Sequence, residues 1–461
     1  MSKKIDLLLT GGQVVTGNKI TRANIAVNDG KIKAVLPPNK HPPAYQYIDA
    51  DGLHILPGII DTHVHLRDPA RPDREDFRSG TSAAAAGGIT TILEMPISEP
   101  PTNSGPILTE RRHEVQQRAL VDFALYGAVG HDNVHEVQGM AEAGAIAFKT
   151  FLTAAPPNRD AEFAGLCCPN MGDLPRVMQA VAQTSLRHCF HCEHEDLLQT
   201  YIGQMKAARR GDGLAHAESR PPLVEDVSVA SVLAIAAETR TPVQIVHLSS
   251  LYAAQLAKDA KAQGLDVTVE TCPQYLFLTF DELRKHGPFA KCNPALRSHD
   301  EMETLWGYLF DGTIDVIGSD HSPYRPEEKE QGLVDVFKAT AGMPGLEPML
   351  PLMLTAVNQG RLTLPQLVQF MSQRAAALFR LGGKGNIAPD YDADFTLVDM
   401  SARWTFDRHQ CFSKAKDLMR AYPGREMEGK VVSTLVRGKM VYHEGKIVAK
   451  AGHGHFLRPT P

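Results

Sequence analysis

Short apolar runs alternate with longer amphipathic stretches through the middle of the chain. Eight runs have the length and composition of buried strands, at residues 58–65, 90–94, 121–126, 145–150, 188–191, 243–247, 266–270 and 314–318. Between them, apolar residues recur at helical spacing in residues 106–119, 174–184, 223–239, 251–262 and 302–310. Strands that alternate with helices predict parallel βαβ units, and eight units predict an α/β fold, a (β/α)8 TIM barrel. The alternative is an open, doubly wound sheet, but no glycine-rich nucleotide-binding motif follows the first strand.

Both ends of the chain have a different pattern, made of short β-prone segments separated by turn residues. These segments lie at residues 6–10, 24–27, 31–35 and 53–56, and at 395–399, 431–436, 439–443 and 447–449. We expect them to build one small β-sandwich domain from residues 1–57 and 386–461, with the barrel formed by residues 58–385. Residues 153–172 have three prolines and no periodicity, and they predict a long loop at the active face of the barrel.

Composition and charge argue against several classes of protein. The formal net charge is −5 with both signs interspersed, so we expect no nucleic-acid or anionic-membrane surface. No run of 18 apolar residues exists, so we expect no membrane-spanning helix. The seven cysteines are odd in number and mostly scattered, which is typical of a reduced, cytoplasmic protein.

Two histidines at the end of the first predicted barrel strand are candidate metal ligands. His63 and His65 stand two residues apart, so both side chains point to the same face of the strand. The carboxyl ends of barrel strands form the active face, and imidazole pairs suit zinc or a similar ion. Taken alone, the HxH motif is more often two unrelated histidines, because it is short.

Four further residues of ligand type lie at the ends of other predicted strands: Lys149, His191, His247 and Asp320. A buried lysine without a partner is costly because its charge loses hydration, and carbamylation would convert it into an anionic ligand. Six such groups at strand ends are difficult to attribute to chance, so we predict a metal site at the mouth of the barrel. His188 and His194 stand at odd offsets from His191 and are predicted to face away from the site.

An ordered set of motifs gives the chain its resemblance to a known family. The motifs are PGIIDTHVH, AAAAGGITTILEMP, GAIAFKTF, HCE, VHLSS, VETCPQYL, KCNPALR and GSDHSP, and they extend over nearly the whole chain. The sequence resembles the cyclic amidohydrolases, a group of allantoinases, hydantoinases, dihydropyrimidinases and dihydroorotases. The resemblance implies an enzyme that hydrolyses a small cyclic amide and forms a homo-oligomer, a tetramer or a dimer.

The resemblance also implies two divalent metal ions in each subunit. One ion would be held by His63, His65, Lys149 and Asp320, and the other by Lys149, His191 and His247, with carbamylated Lys149 as the bridge. Zinc is the first expectation, and manganese, cobalt and iron accept the same ligands. Such an ion pair can generate a nucleophilic hydroxide at neutral pH. Asp320 would take the proton of the attacking water and deliver it to the leaving nitrogen, with His321 in a supporting role.

Three residues are candidates for substrate contacts. Arg67 resembles the dihydroorotase arginine that grips a carboxylate. An equally good interpretation of Arg67 is a surface salt bridge to one of the nearby carboxylates, Asp68, Asp73 or Glu75. Asn293 could hydrogen-bond the ring amide or satisfy its own loop. Thr153 could replace the contact of the D-hydantoinase tyrosine, since Ala154 stands in that position.

Departures from the dihydroorotase pattern favour another substrate. Ile97 follows Met95-Pro96 where dihydroorotases have asparagine, and Tyr324 replaces their histidine. The remaining motifs resemble those of allantoinases and L-hydantoinases. We therefore expect a cyclic ureide as substrate, first allantoin, then a 5-substituted hydantoin or a dihydropyrimidine, then dihydroorotate.

Two hypotheses of another class remain. A non-catalytic relative that serves as a scaffold would lack Lys149 or several histidines, and all six ligand positions are filled here. A deaminase on the same barrel would generally hold a single metal ion without the strand-four lysine.

Overall fold

The computed structural model describes residues 4–460 and combines a β-sandwich with a barrel of parallel strands. Seven strands precede the barrel: β1 (Ile5–Thr10), β2 (Gln13–Val15), β3 (Ile20–Arg22), β4 (Asn24–Asn28), β5 (Lys31–Leu36), β6 (Ala44–Asp49) and β7 (His54–Pro57). Nine strands line the barrel: β8 (Ile59–Val64), β9 (Ile89–Glu94), β10 (Asp122–Leu125), β11 (Gly127–Ala128), β12 (Phe148–Phe151), β13 (His188–His191), β14 (Val243–Ile245), β15 (Val267–Thr271) and β16 (Val316–Ile317). Four strands follow it: β17 (Phe395–Thr405), β18 (Glu426–Val436), β19 (Lys439–His443) and β20 (Lys446–Ile447).

Within residues 4–460, fifteen α-helices connect and cover these strands. The first eight are α1 (Phe77–Ala86), α2 (Gly105–Gln116), α3 (Val137–Ala143), α4 (Leu174–Ala182), α5 (Glu195–Ala207), α6 (Gly213–Glu218), α7 (Pro222–Thr239) and α8 (Leu251–Ala262). The others are α9 (Pro273–Phe277), α10 (Phe280–His286), α11 (His299–Phe310), α12 (Pro326–Glu330), α13 (Leu346–Asn358), α14 (Leu364–Val368) and α15 (Arg374–Leu378). Asp76 and Ser298 begin α1 and α11 with reciprocal capping bonds, as their side-chain chemistry favours. No helix in the described part of the chain is long and apolar enough to cross a membrane.

The barrel closes because its last strand returns to its first. β8 to β10 form one parallel sheet and β11 to β16 another. Ile146 N donates to Leu125 O at 2.9 Å across one seam, and His65 N donates to His321 O at 2.9 Å across the other. All the strand carboxyl ends therefore meet at one mouth. The predicted α/β barrel is confirmed, and only the two-residue β11 was missed, because so short a segment has no periodicity.

The sandwich contains strands from both ends of the chain, as the sequence predicts. One sheet has the order β20-β19-β18-β17-β7-β2-β3, and the other has the order β5-β4-β1-β6. Buried apolar side chains pack between them, among them Leu9, Ile25, Ile55, Phe395 and Leu435. The sequence missed β2, which has three residues, and also β3 and β6, in which most residues are exposed. The predicted domain boundaries, before residue 58 and after residue 385, stay a prediction.

A buried ion cluster joins the floor of the barrel to the segment that leads into β17. The Lys384 ammonium lies 2.5 Å from Asp122 Oδ2, 2.9 Å from Asp392 Oδ2 and 2.7 Å from Asp394 Oδ2. The Lys384 side chain is 1% exposed, and Arg437 also contacts Asp122. The three carboxylates are close enough to hold a metal ion, but the ammonium occupies the space among them.

Replacing Lys384 by methionine should lower the free energy of unfolding by about 3–5 kcal/mol, because buried carboxylates lose their counter-charge. Chemical denaturation at a fixed protein concentration measures the change. Lys258→Met is the control, since it removes the solvent-exposed pair with Asp311 and should leave the unfolding midpoint nearly unchanged. Equal midpoints for Lys384→Met and the parent protein would contradict a stabilising role for the cluster.

Candidate active site

One pair of imidazoles and a carboxylate meet at the barrel mouth. His63 is in β8, His65 follows it, and Asp320 comes just after β16. Asp320 Oδ1 lies 3.3 Å from His63 Nε2 and 3.6 Å from His65 Nε2. The three ligand atoms lie within 4.8 Å of one another, and all three side chains are buried. Such a set of nitrogen and oxygen donors suits zinc or a similar divalent ion.

A second pair of imidazoles lies beside the first. His191 ends β13 and His247 follows β14, and His191 Nδ1 is 2.9 Å from His247 Nε2. The rings of His63 and His247 are 5.3 Å apart between centroids, which joins the two pairs into one cluster. Phe151 stacks on the His191 ring at 4.6 Å and shields it from solvent.

Lys149 in β12 lies beside the second pair, with its Nζ 5.0 Å from the centroid of the Phe151 ring that stacks on His191. Its side chain has no exposed surface, and its Nζ has no hydrogen-bond partner among residues 4–460. Burial lowers the pKa of the Lys149 amine to about 8, and the nearby Cys189, Glu270 and Asp320 oppose that shift. A large fraction of the side chain is therefore neutral near pH 8, and a neutral amine is a nucleophile.

The residues present fit a group of metal ions. The ligand cluster (His63, His65, Lys149, His191, His247 and Asp320) brings four imidazoles, one amine and one carboxylate together, and all six side chains are buried. In the described chain, Lys149 Nζ is buried without a partner, and the nitrogens with which His191 and His247 face the cluster contact only each other, at 2.9 Å. Buried polar atoms are normally paired, and those that are not commonly mark a site for an ion or a ligand.

Two glutamates that the sequence analysis missed orient the imidazoles. Glu270 Oε1 lies 2.7 Å from His63 Nδ1, which leaves Nε2 facing Asp320. Glu193 Oε2 lies 2.8 Å from His191 Nε2, which leaves Nδ1 facing the cluster. Carboxylates behind metal-binding histidines fix the tautomer and the direction of the ring. Glu193 stands two residues after His191, so its contact is local in the sequence, whereas Glu270 belongs to β15 and meets His63 from a distant part of the chain.

Three nearby histidines stay outside the ligand cluster. His188 turns away, with Nε2 2.7 Å from Thr150 Oγ1. His194 precedes α5, and its backbone N–H donates to Val224 O. His321 Nδ1 accepts from the Gly345 N–H at 3.2 Å. Its Nε2 lies 3.5 Å from Glu75 Oε2, so it is held by its own neighbours.

Arg67 is buried at the edge of the mouth, and the salt-bridge interpretation is wrong. Its Nη2 donates to Ser322 Oγ at 2.8 Å and to Tyr324 OH at 3.1 Å. The three carboxylates near it in sequence bind elsewhere: Asp68 pairs with Arg118, Asp73 with Arg71, and Glu75 contacts Ser413. The Arg67 backbone has φ 62°, and that left-handed turn directs the side chain inward instead of along the surface.

The other two candidate substrate residues lie in loops. Asn293 is half-buried, and its Oδ1 is buried without a partner in the part of the chain that the structure describes. Thr153 is half-buried at the start of the loop of residues 153–172. Their contacts with a substrate stay a prediction.

Known proteins match the chain over nearly its full length. The model of the Amidohydrolase family matches residues 54–441. An L-hydantoinase of Paenarthrobacter aurescens is 35% identical over 455 residues, 98% of this chain and 98% of the relative. An allantoinase of Streptomyces avermitilis is 36% identical over 450 residues, 97% of this chain and 98% of the relative. A solved L-hydantoinase (dihydropyrimidinase) from Arthrobacter aurescens superposes with a TM-score of 0.93 at 34% identity, covering 98% of this chain and 100% of that one.

The comparisons agree with the barrel fold and with the ligand cluster at the mouth of the barrel. This chain belongs to the amidohydrolase family of metal-dependent hydrolases.

Proposed function

We propose that this chain hydrolyses the ring amide bond of a cyclic ureide, with allantoin as the first substrate and 5-substituted hydantoins as the second. The observation that carries the proposal is the convergence of four imidazoles, one carboxylate and one unpartnered buried amine at the barrel mouth. Relatives named as allantoinases or as an L-hydantoinase, at 33–36% identity over nearly the full chain, support the substrate class.

The ligand cluster divides into two halves that share Lys149. His63, His65 and Asp320 would hold one divalent ion, zinc first, with manganese, cobalt or iron as alternatives; His191 and His247 would hold the other. Bound ions would supply Lewis-acid activation of the water and of the scissile carbonyl. The Lys149 amine would add to the carbon of carbon dioxide and release one proton. The anionic carbamate that results has two oxygens, enough to reach both halves.

Asp320 would carry the proton from the attacking water to the leaving ring nitrogen. It is 8% exposed, whereas His63 is 1% and His65 is 4% exposed, so it is the most accessible of the three to a water molecule. Because the Asp320 carboxylate is partly open to the cleft, it could accept a proton from the attacking water and later donate it to the leaving ring nitrogen.

Arg67 would bind a carbonyl oxygen of the substrate, with Asn293 and Thr153 contacting the ring. A buried guanidinium with neutral partners favours a polar substituent, and the ureido group of allantoin offers a carbonyl oxygen. The likeness to L-hydantoinases favours hydantoins as the second substrate. Dihydroorotate comes third, because Ile97 and Tyr324 depart from the dihydroorotase pattern.

The rival classes explain the cluster less well. A scaffold has no use for a buried amine without a partner, and a mononuclear deaminase leaves that amine, Lys149, unexplained. A homo-oligomeric state and a cytoplasmic setting stay predictions from the sequence.

The zinc- or manganese-loaded protein should open allantoin faster than hydantoin, dihydrouracil or dihydroorotate. Chromatography of substrate and product measures ring opening, and protein treated with a chelator is the control, which should be inactive. A loaded protein that opens none of these rings would refute the proposal. Turnover of hydantoins with allantoin untouched would make hydantoins the first substrate.

Lys149→Ala should lower the ring-opening rate by about 10³-fold or more, because both halves of the site lose their shared ligand. Acetate or propionate should restore part of the rate by placing a carboxylate in the space that the side chain leaves. Lys149→Met is the matched control, because its side chain fills that space and leaves no room for the acid. A rate for Lys149→Ala close to that of the parent protein would contradict a shared ligand.

Glu193→Gln should weaken metal binding by about 10- to 100-fold, because the amide holds the His191 imidazole less firmly than a carboxylate does. Competition with a chromophoric chelator measures the affinity. Glu218→Gln, which alters an exposed pair with Arg210, is the control and should bind metal like the parent protein. Unchanged affinity for Glu193→Gln would mean that the His191 ring does not depend on this contact.

A further inference from the structure

Three guanidinium groups surround the ring of Tyr324 at the edge of the mouth. The guanidinium carbons of Arg67, Arg74 and Arg159 lie 5.0, 5.0 and 5.4 Å from the ring centroid. The Tyr324 hydroxyl accepts hydrogen bonds from Arg67 Nη2 at 3.1 Å and from Arg159 Nη1 at 3.0 Å. Tyr324 is 3% exposed, so these contacts are shielded from water and retain their strength.

These contacts join three loops that rise from different parts of the barrel. Arg67 and Arg74 follow β8, Arg159 belongs to the loop of residues 153–172, and Tyr324 follows β16. Glu162, also in that loop, lies 2.6 Å from Arg159 and 3.1 Å from Arg74. One phenolic oxygen therefore connects the arginine at the cleft to the loop beside it.

The charges in this group do not balance. Three guanidiniums face two carboxylates, Glu162 and Glu328, and both carboxylates contact Arg74. Burial raises the pKa of Glu162, but Arg159 and its neighbours outweigh burial and hold it at about 2, so this carboxylate is charged. Within the described residues, Arg67 has no carboxylate in ion-pair range.

The unbalanced charge therefore falls on Arg67. Its donors reach only Ser322 Oγ, Tyr324 OH and, at 3.5 Å, Ile97 O, and its Nε is buried without a partner in residues 4–460. A buried cation with neutral partners is costly, and an oxygen with negative charge or a strong dipole would relieve that cost. The substrate is the group that can bring such an oxygen to the cleft.

We propose that Tyr324 is a positioning residue that holds Arg67 toward the substrate and, through Arg159, links this grip to the docked position of the loop of residues 153–172. The identity of the substrate rests on the proposed function, but the link between the two arginines does not. Removing the hydroxyl would take the shared hydrogen-bond acceptor from both guanidiniums at once, leaving Arg67 with Ser322 and Arg159 with Glu162, and would keep the ring between them. The effect should fall on substrate binding, since Tyr324 is not among the metal ligands.

Tyr324→Phe should raise KM for the best ring substrate by about 10-fold or more and leave kcat within about 3-fold. Phenylalanine keeps the ring and its contacts with the three guanidiniums, so the variant should fold and bind metal normally. Tyr442→Phe removes another buried tyrosine hydroxyl, in β19 of the sandwich, and should change neither constant. Equal metal content in all three proteins shows that the ligand cluster is intact.

Arg159→Met tests the link to the loop. Arg159→Met should also raise KM. The double variant with Tyr324→Phe should raise KM by less than the product of the two single effects, because both substitutions remove the contact between Arg159 and the Tyr324 hydroxyl. Hydrogen exchange in residues 153–172 should be faster in both single variants than in Tyr442→Phe.

Each failure points to a different part of the proposal. Unchanged KM in Tyr324→Phe, or a loss in kcat alone, would overturn the positioning role. Unchanged exchange in residues 153–172 would overturn the link to the loop. If the parent protein opens no cyclic ureide, the proposed function fails, and the exchange measurement still decides whether Tyr324 joins the loop to the mouth.

Discussion

The buried, unpartnered amine of Lys149 is the constraint on which the rest of the site depends. Burial removes water from this amine and holds its pKa near 8, well below the usual value. Burying an unpaired amine costs free energy. Conversion of Lys149 to the proposed carbamate, with two cations bound to it, would offset that cost. Four imidazoles and Asp320 meet at the same mouth of the barrel, and the proposed pair of ions would account for their convergence.

The scaffold supplies the precision that this arrangement requires. Arg67, His247 and Asp320 all have positive φ, a conformation that costs about 1–3 kcal/mol for an ordinary residue and persists only when surrounding contacts enforce it. The contacts here are those of the closing barrel, such as the bond from His65 N to His321 O. Glu270 and Glu193 then fix the directions of the His63 and His191 rings through hydrogen bonds to the ring nitrogens that face away from the cluster.

The sequence predicts the barrel and the positions of the six candidate ligands at strand ends, because the signals for both are local. A strand period of two and the meeting of strand ends at one mouth are enough to bring His63, His65 and the other four ligands together. Partners distant along the chain are not predictable in that way: Glu270 meets His63 across 207 positions. Arg67 shows the same limit. Its neighbours in sequence favour a surface salt bridge. Its contacts in the structure are Ser322 and Tyr324, which follow β16, more than 250 positions later in the chain.

The central claim is that the ligand cluster holds two ions through one shared lysine. The most direct test is elemental analysis of the parent protein, loaded with zinc in the presence of bicarbonate and freed of excess metal by gel filtration. The ligand geometry predicts close to two zinc ions per chain. A value of one or less would contradict it, because the His63–His65–Asp320 half or the His191–His247 half would then be unable to bind an ion.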